Sequence, residues 1–314
     1  RLIGRIELPS FYGSSGNGPK ATDDVEELIN ELKKQGAEGI ILDLRRNGGG
    51  YLSEAVNLAG LFISRGPVVQ VKSTDGKIRK KFDFNPKIGW DGPLIVLVSR
   101  YSASASEIVA GALQNHKRAI IVGDEATHGK GTVQSLIPMN LPVHIAGSAK
   151  KRSAAKITIQ KYYLPSGGST QIEGVKSDIT MDSINTHLPI GESDLDNALA
   201  WDQIPAVNFR RPKEEFVYDK DNLDKLRELS QTRQEKLSEF LYLKENIDWF
   251  RKKRETKTMS LNLQERIAQK KNDEKVSKEL QETFKSFAEM AFPLRKTSLQ
   301  VVKDQARRSL EARG

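Results

Sequence analysis

Three serines spaced two apart, Ser102, Ser104 and Ser106, and one lysine between two glycines, Lys130, are the residues whose types and setting point to chemistry. The serines follow an apolar run, Leu94 to Val98, and precede a helical pattern through Ile108, Val109, Ala112 and Leu113. A strand thus delivers a hydroxyl to a helix N-terminus, where free N–H groups favour a developing anion. Gly129 and Gly131 let the backbone around Lys130 come close to other groups. A hydroxyl and a desolvated, neutral amine are the parts of a Ser–Lys dyad, in which the amine takes the hydroxyl proton.

Plainer readings compete. Serines before a helix are usually caps, and that holds for any one of these three. The stretch from Gly123 to Thr132 imitates a phosphate-binding loop. That motif needs four residues between its first glycine and the Gly-Lys pair, then Ser or Thr. Here five intervene, Asp124 to His128, and Gly131 follows the lysine, so a nucleotide site is rejected. Arg45-Arg46-Asn47-Gly48-Gly49-Gly50, between a strand and a helix, imitates a dinucleotide fingerprint. Ser53 stands where the last glycine should be. What remains is a tight turn whose amides can form an anion nest. Of the histidines His116, His128, His144 and His187, none has metal-ligand spacing; His128 is near Lys130 but reads as structural or solvent-facing.

The elements that must position these residues follow from periodicity. Leu2 to Leu8 alternates as a first strand. Thr22-Asp23-Asp24 starts a helix with Val25, Leu28, Ile29 and Leu32 on one face, ended by Gly36. Residues 39–44, 94–98 and 119–122 are apolar runs of strand length beside motif loops, predicting one sheet. A helix follows from Tyr51 to Ile63. Val68 to Lys72 and Ile78 to Phe82 predict a hairpin across Asp75-Gly76. Ala155 to Tyr163 is a strong strand, turned at Pro165 to Gly168 and returning over Ser169 to Ile172. Ser10 to Pro19 and Leu141 to Arg152 are irregular.

After Arg210-Arg211-Pro212 glycine vanishes until Gly314 and charge rises. Leu223, Leu226 and Leu229 mark an amphipathic helix, which Leu237, Phe240, Leu241 and Ile247 extend. A short extended piece is expected over Met259 to Leu263. Val276, Leu280, Phe284, Phe287 and Met290 form a helical stripe of the kind that packs. The expected division is a core over 1–205 and a helical domain over 206–314.

Length allows one large or two ordinary domains among the 314 residues. There are no cysteines, which excludes disulfides, cysteine nucleophiles and thiolate metal sites. The net charge is +9 from 50 Lys and Arg against 41 Asp and Glu. The two signs are interspersed, which favours a solvated surface over a nucleic-acid face. No apolar run approaches membrane-spanning length and no signal peptide is recognised. Beginning at Arg1 rather than Met, the chain reads as a processed or excised piece.

SASASEIVAGAL followed by GKGTVQ resembles the C-terminal processing peptidases, also called tail-specific proteases, and most closely their bacterial periplasmic branch. The resemblance continues through NGGG, TIQKYYLPSGGSTQIEGV and DNALAWDQI, covering 1–205, with the helical tail similar more loosely. It implies an α/β core of the Clp protease/crotonase-like kind, followed by an all-α charged C-terminal domain. It implies a serine endopeptidase with Ser104 as nucleophile, Lys130 as general base and Gln134 orienting the lysine. The Gly50 and Ala105 amides would form the oxyanion hole. It also implies no metal or cofactor, an exported or periplasmic bacterial location, a possible adaptor protein, and protein substrates chosen by apolar, unstructured C-termini. Capture in that family usually uses a PDZ domain, which in relatives precedes the position of Arg1; no PDZ-like segment is recognised here. Two departures stand out: the Ser-to-Lys spacing is one residue longer, and Asn115 replaces an acid. The rivals are a catalytically silent binding or scaffold module and a crotonase-like acyl-CoA enzyme. The latter leaves the Ser104/Lys130 pair unexplained.

Overall fold

The computed structural model describes residues 1–13, 18–139, 154–209 and 218–288. The chain divides into two compact units. One holds Arg1–Asp178 and Pro189–Asp219; the other holds Ile179–Leu188 and the chain from Lys220 onward.

The first unit is built on parallel strands β1 (Ile3–Glu7), β2 (Gly39–Asp43), β5 (Leu94–Val98) and β6 (Ile120–Gly123), neighbours in that order. Register pairs Ile6 with Leu42, Leu42 with Val96, and Val96 with Ile121. All three apolar runs expected to share a sheet do so. Helices α1 (Ala21–Lys34), α2 (Leu52–Gly60) and α3 (Ala105–Asn115) cover the sheet. They bury Val25 and Ile29, Leu58, and Val109 and Leu113 in one core with Leu42 and Val96. Each such side chain contributes about 1.5–3 kcal/mol when fully buried. The α2 pattern runs on to Ile63 in sequence, but the helix stops at Gly60. There Leu61 and Phe62 donate to Leu58 and Ala59, tightening the last turn into i→i−3 bonds.

A second, antiparallel sheet has the order β4-β3-β8-β7, formed by β3 (Gly66–Ser73), β4 (Ile78–Asp83), β7 (Thr132–Pro138) and β8 (Ala154–Tyr163). The β3–β4 hairpin turns at Gly76, whose φ of 80° suits glycine. Strand β7 begins two residues after Lys130. The expected return strand over Ser169 to Ile172 is instead a loop, joined to β8 by the single bridge Tyr163–Ser169. Ile172 sits at φ 67°, which a strand cannot hold, and its N–H is drawn to Gly129 O at 2.7 Å. The expected irregular stretch 141–152 lies outside the described residues.

In the second unit, β9 (Ile179–Thr180) and a 3₁₀ turn at Ile184–His187 accompany α4 (Lys220–Lys236), α5 (Ser238–Glu255) and α6 (Leu263–Ala288). Leu237, expected to continue one helix, is extended at ψ 133° and separates α4 from α5. The stripe of α6 meets α5: Tyr242 contacts Phe284 and Phe287 at ring-centroid distances of 6.3 and 5.5 Å. Lys253 on α5 donates to Asp273 on α6 at 3.0 Å. No described helix is long and apolar enough to cross a membrane.

Candidate active site

The structure separates the three serines by what their hydroxyls do. Ser102 is fully buried; its Oγ donates to Leu44 O at 2.7 Å and accepts the Ser99 N–H at 2.9 Å. Ser106 is fully buried too, and its Oγ donates to Asn47 O at 2.7 Å. Both hydroxyls tie the strand-to-helix turn to the glycine-rich turn behind it. Ser104, the residue that precedes the first turn of α3, is partly exposed. Its backbone sits at φ 57°, ψ −110°, a strained position for a residue with a Cβ. Such strain persists only where neighbours over-determine it. Here Ser104 N–H donates to Glu107 Oε2 at 2.7 Å, Ser104 O accepts Ile108 N–H at 3.0 Å and the Tyr162 hydroxyl at 3.2 Å, and Ala103 N–H reaches Asn47 O at 3.1 Å.

The turn Asn47 to Gly50 packs directly against this serine. Asn47 is fully buried; its amide donates to Leu8 O at 2.9 Å, and its Oδ1 accepts Gly49 N–H at 2.9 Å. A Cβ on Gly49 would stand 2.9 Å from both Ser104 Cβ and Ala103 O, so only glycine permits the approach. Phe11 N–H donates to Gly49 O and Tyr51 N–H donates to Phe11 O, which leaves the Gly50 N–H outside that bridge. Ala105, whose amide is the other expected oxyanion donor, is the first residue of α3. Its nitrogen is 3.2 Å from the position of a Cβ on Gly49. The two segments expected to face an oxyanion are therefore adjacent.

Lys130 lies on the loop before β7, half-buried, and its Nζ donates to Gln134 Oε1 at 3.0 Å. Burial pulls its amine below the ordinary lysine range. The charge of Lys156 acts in the same direction, while Glu192 and Glu107 oppose it. Lys130 and Gln134 line a cleft of about 680 Å³ together with Gly48, Ala103, His128 and Glu192. Ser104, one residue on from Ala103, is not among the lining residues. His128 is half-buried, with Nδ1 3.8 Å from Glu192 Oε2. Burial lowers its pKa, Glu192 opposes, and Arg100 and Lys130 lower it further.

The residue that joins the two halves is Glu107, fully buried. Its Oε1 accepts Thr127 Oγ1 and Gly129 N–H, both at 2.7 Å; its Oε2 accepts Ser104 N–H at 2.7 Å and Lys130 N–H at 3.0 Å. One carboxylate thus fixes the backbone of Ser104 and of the Lys130 loop. Burial pushes this carboxyl up to about 7, against the pull of its four donors. The loop after β8 braces the same lysine segment. Gln171 Oε1 accepts Gly131 N–H at 2.8 Å, Thr170 Oγ1 donates to Lys130 O at 2.9 Å, and the Tyr162 hydroxyl also bonds Lys130 O.

Glu107, Asn47, Thr127 and Gln171 are the positioning residues that motif reading left without a role. Glu107 alone had a local signal, the Ser-x-x-Glu spacing of a capping box. Asn115 ends α3, roughly 16 Å along the helix from Ser104 at 1.5 Å per residue. There its Oδ1 accepts the Ser166 N–H at 2.8 Å, a loop contact away from the cleft.

The chain is 45% identical over 207 residues to the tail-specific protease of Haemophilus influenzae, an alignment covering 66% of this chain and 28% of that protein. It is 39% identical over 163 residues to the carboxyl-terminal-processing protease of Synechocystis, covering 52% of this chain and 34% of the relative. The chain therefore spans about a third of the length of these curated relatives. Among solved structures, the photosystem II D1 C-terminal processing protease is 34% identical with a TM-score of 0.47, covering 57% of this chain and 42% of that one. Residues 185–312 match the C-terminal domain of tail specific protease. Residues 2–181, the part that holds the serine turn, the glycine turn and the lysine loop, match the model of peptidase family S41, and the chain belongs to that family.

Proposed function

We propose that this chain is the catalytic portion of a tail-specific serine endopeptidase working through a Ser104–Lys130 dyad. The observation that carries the reading is the division of labour among the serines. Ser102 and Ser106 spend their hydroxyls on backbone carbonyls, while Ser104 is left partly exposed at the start of α3. The same buried carboxylate, Glu107, anchors Ser104 and the Lys130 loop.

In this reading the neutral Lys130 amine, oriented by Gln134, takes the Ser104 proton as Oγ attacks a peptide carbonyl. The Gly50 and Ala105 amides stabilise the oxyanion. Lys130 then returns the proton to the leaving amine, and water, activated by the same amine, hydrolyses the ester. Substrates are proteins with apolar, unstructured C-termini, met in the periplasm or another exported compartment, with or without an adaptor protein. The division into a 1–205 peptidase core and a 206–314 helical domain belongs to the same proposal.

The test is cleavage of a folded reporter bearing an unstructured apolar C-terminal tail, with circular dichroism as the folding control. Ser104→Ala and Lys130→Ala should each abolish cleavage, and His128→Ala should leave most of it. Substantial turnover by a folded Lys130→Ala variant would defeat the dyad. Tail binding without cleavage by the unsubstituted chain would point to a silent binding module.

A further inference from the structure

We propose that Arg100 is a positioning residue for substrate binding: its guanidinium, packed against Gly191, keys the cleft wall at 190–195 to the loop that carries Lys130. The kinetic consequence rests on the peptidase reading above; the contacts do not.

Ile190, Glu192 and Leu195 line the same cleft as Lys130 and Gln134. They stand on an irregular segment around the 3₁₀ turn Glu192–Asp194. Within it, Gly191 N–H donates to Asp194 Oδ2 at 2.9 Å, and the N–H groups of Asp194 and Leu195 donate to Gly191 O and Glu192 O. Such bonds shape the turn but cannot place it, because both partners of each move together. Placement has to come from outside the segment. Part of it comes from Glu192, whose N–H donates to His128 O at 2.9 Å and whose Oε1 accepts the Gln171 amide at 3.0 Å. The rest comes from Arg100.

Arg100 follows the end of β5, and its own N–H donates to Asp124 Oδ2 at 2.8 Å, which fixes the root of the side chain. That side chain is only 17% exposed, a degree of burial that an arginine reaches when it is paired. Nη1 donates to Thr127 O at 3.1 Å, three residues before Lys130. Nη2 stands 3.9 Å from Asp194 Oδ2. The same Nη2 would lie 1.8 Å from a Cβ on Gly191, so the guanidinium fills the space that a side chain there would need. Gly191 has φ −88°, which any residue adopts, so the arginine and not the backbone requires glycine. One planar fork thus meets both the lysine loop and the wall, a task that suits its rigid geometry. The lysine loop has further braces: Thr127 Oγ1, Gly129 N–H and Lys130 N–H all bond Glu107, and Gly131 N–H bonds Gln171. Among the described residues the wall is tied to the core through Glu192 and Arg100, so losing the arginine loosens the wall first. A loose wall must be ordered when substrate binds, and that ordering weakens binding.

The experiment compares Arg100→Ala, Gly191→Ala and the two combined with the unsubstituted chain. It measures KM and kcat on the tail-bearing reporter, and amide hydrogen exchange over 189–196 by mass spectrometry. Arg100→Ala should raise KM about tenfold, the worth of one charge-assisted hydrogen bond, and leave kcat within about twofold. Exchange over 189–196 should quicken about tenfold, while exchange over 105–115 in α3 stays unchanged. Gly191→Ala keeps the arginine but forces it from its place, and should do the same. With Arg100 gone the new Cβ has room, so the double variant should be no worse than either single one. Gly191→Ala removes no polar group, so it decides the matter even where Arg100→Ala does not fold. Unchanged exchange over 189–196 overturns the proposal, as do losses that add in the double variant. A fall in kcat at constant KM also overturns it, by assigning Arg100 to the lysine loop instead. Turnover by Lys130→Ala would overturn the dyad and leave the exchange result standing, so the two failures are distinct.

Discussion

The Ser104 backbone N–H donates to Glu107 Oε2 at 2.7 Å, three residues along the chain, and that carboxylate is fully buried. In Glu107→Gln one side of the head group becomes an N–H₂ facing N–H donors, so at least one donor loses its partner. At pH 5 the variant should be less stable by about 1–3 kcal/mol in urea unfolding. The pH dependence follows from the raised carboxyl. Its folded value of about 7 exceeds the unfolded one, so its contribution is fully present below the unfolded value. That contribution is lost as pH rises through about 7. The stability gap between the unsubstituted chain and Glu107→Gln should therefore shrink by up to about 3 kcal/mol between pH ~4.5 and ~8. A gap that widens with pH would refute this account of Glu107.

Gly49 should be intolerant of any side chain. Its φ of 110° disfavours L residues, and a Cβ would meet Ser104 Cβ and Ala103 O at 2.9 Å. Gly49→Ala must displace the Ser104 turn, and ångström-scale misplacement of the proposed nucleophile costs about 10²-fold in rate. Gly48→Ala is the control, since nothing lies within 4 Å of its Cβ position. Equal thermal stability of the two variants, with equal activity, would show that the glycine turn does not position Ser104.

These two residues also mark how far the sequence could be read. The parallel sheet was legible because Ile40, Leu42, Val96 and Ile121 sit in short apolar runs, and that pattern is local. The choice of Ser104 over Ser102 came from family resemblance, since all three serines precede the same helix. The bonds that distinguish them run to Leu44 and Asn47, more than fifty residues away. The bracing of Lys130 by Gln171 is likewise non-local, and positive φ at Ile172 breaks a stretch that alternates like a strand. The stripe Val276 to Phe287 was readable as packing surface, but its partner Tyr242 on α5 was not, because periodicity names a face and not what it meets.

Lys130 sets the direction of the activity profile. A free lysine titrates near about 10.4, and burial lowers this one. In the proposed dyad the base is the deprotonated amine, so kcat/KM should rise with pH through a midpoint below the ordinary lysine value, then level off. Gln134→Ala removes the 3.0 Å partner of Nζ and should lower the plateau rather than abolish it. A profile that falls as pH rises through this region would exclude Lys130 as the base.

Asn115 should tolerate an acid. Its Oδ1 accepts the Ser166 N–H, and Asp keeps that acceptor. Asn115→Asp should retain activity within about twofold, while Asn115→Ala leaves a backbone donor without its partner and should cost roughly 1 kcal/mol of stability. Loss of activity in a fully stable Asn115→Asp variant would mean that this end of α3 does more than hold the 165–168 turn.

The serines give the sharpest separation. Ser102 donates to Leu44 O and accepts Ser99 N–H inside the core, so Ser102→Ala strands two buried groups. It should lower stability by roughly 1–3 kcal/mol and leave cleavage near normal at temperatures where it is folded. Ser104→Ala removes a partly exposed hydroxyl and relieves none of the φ 57° strain, which lies in the backbone. It should unfold at nearly the unsubstituted temperature and cleave nothing. A Ser104–Lys130 dyad as proposed would act as one unit, so Ser104→Ala with Lys130→Ala together should be little worse than either alone. Unfolding curves and cleavage rates measured on the same preparations decide the matter. A stable but inactive Ser102→Ala beside an active Ser104→Ala would transfer the nucleophile's role to the buried serine.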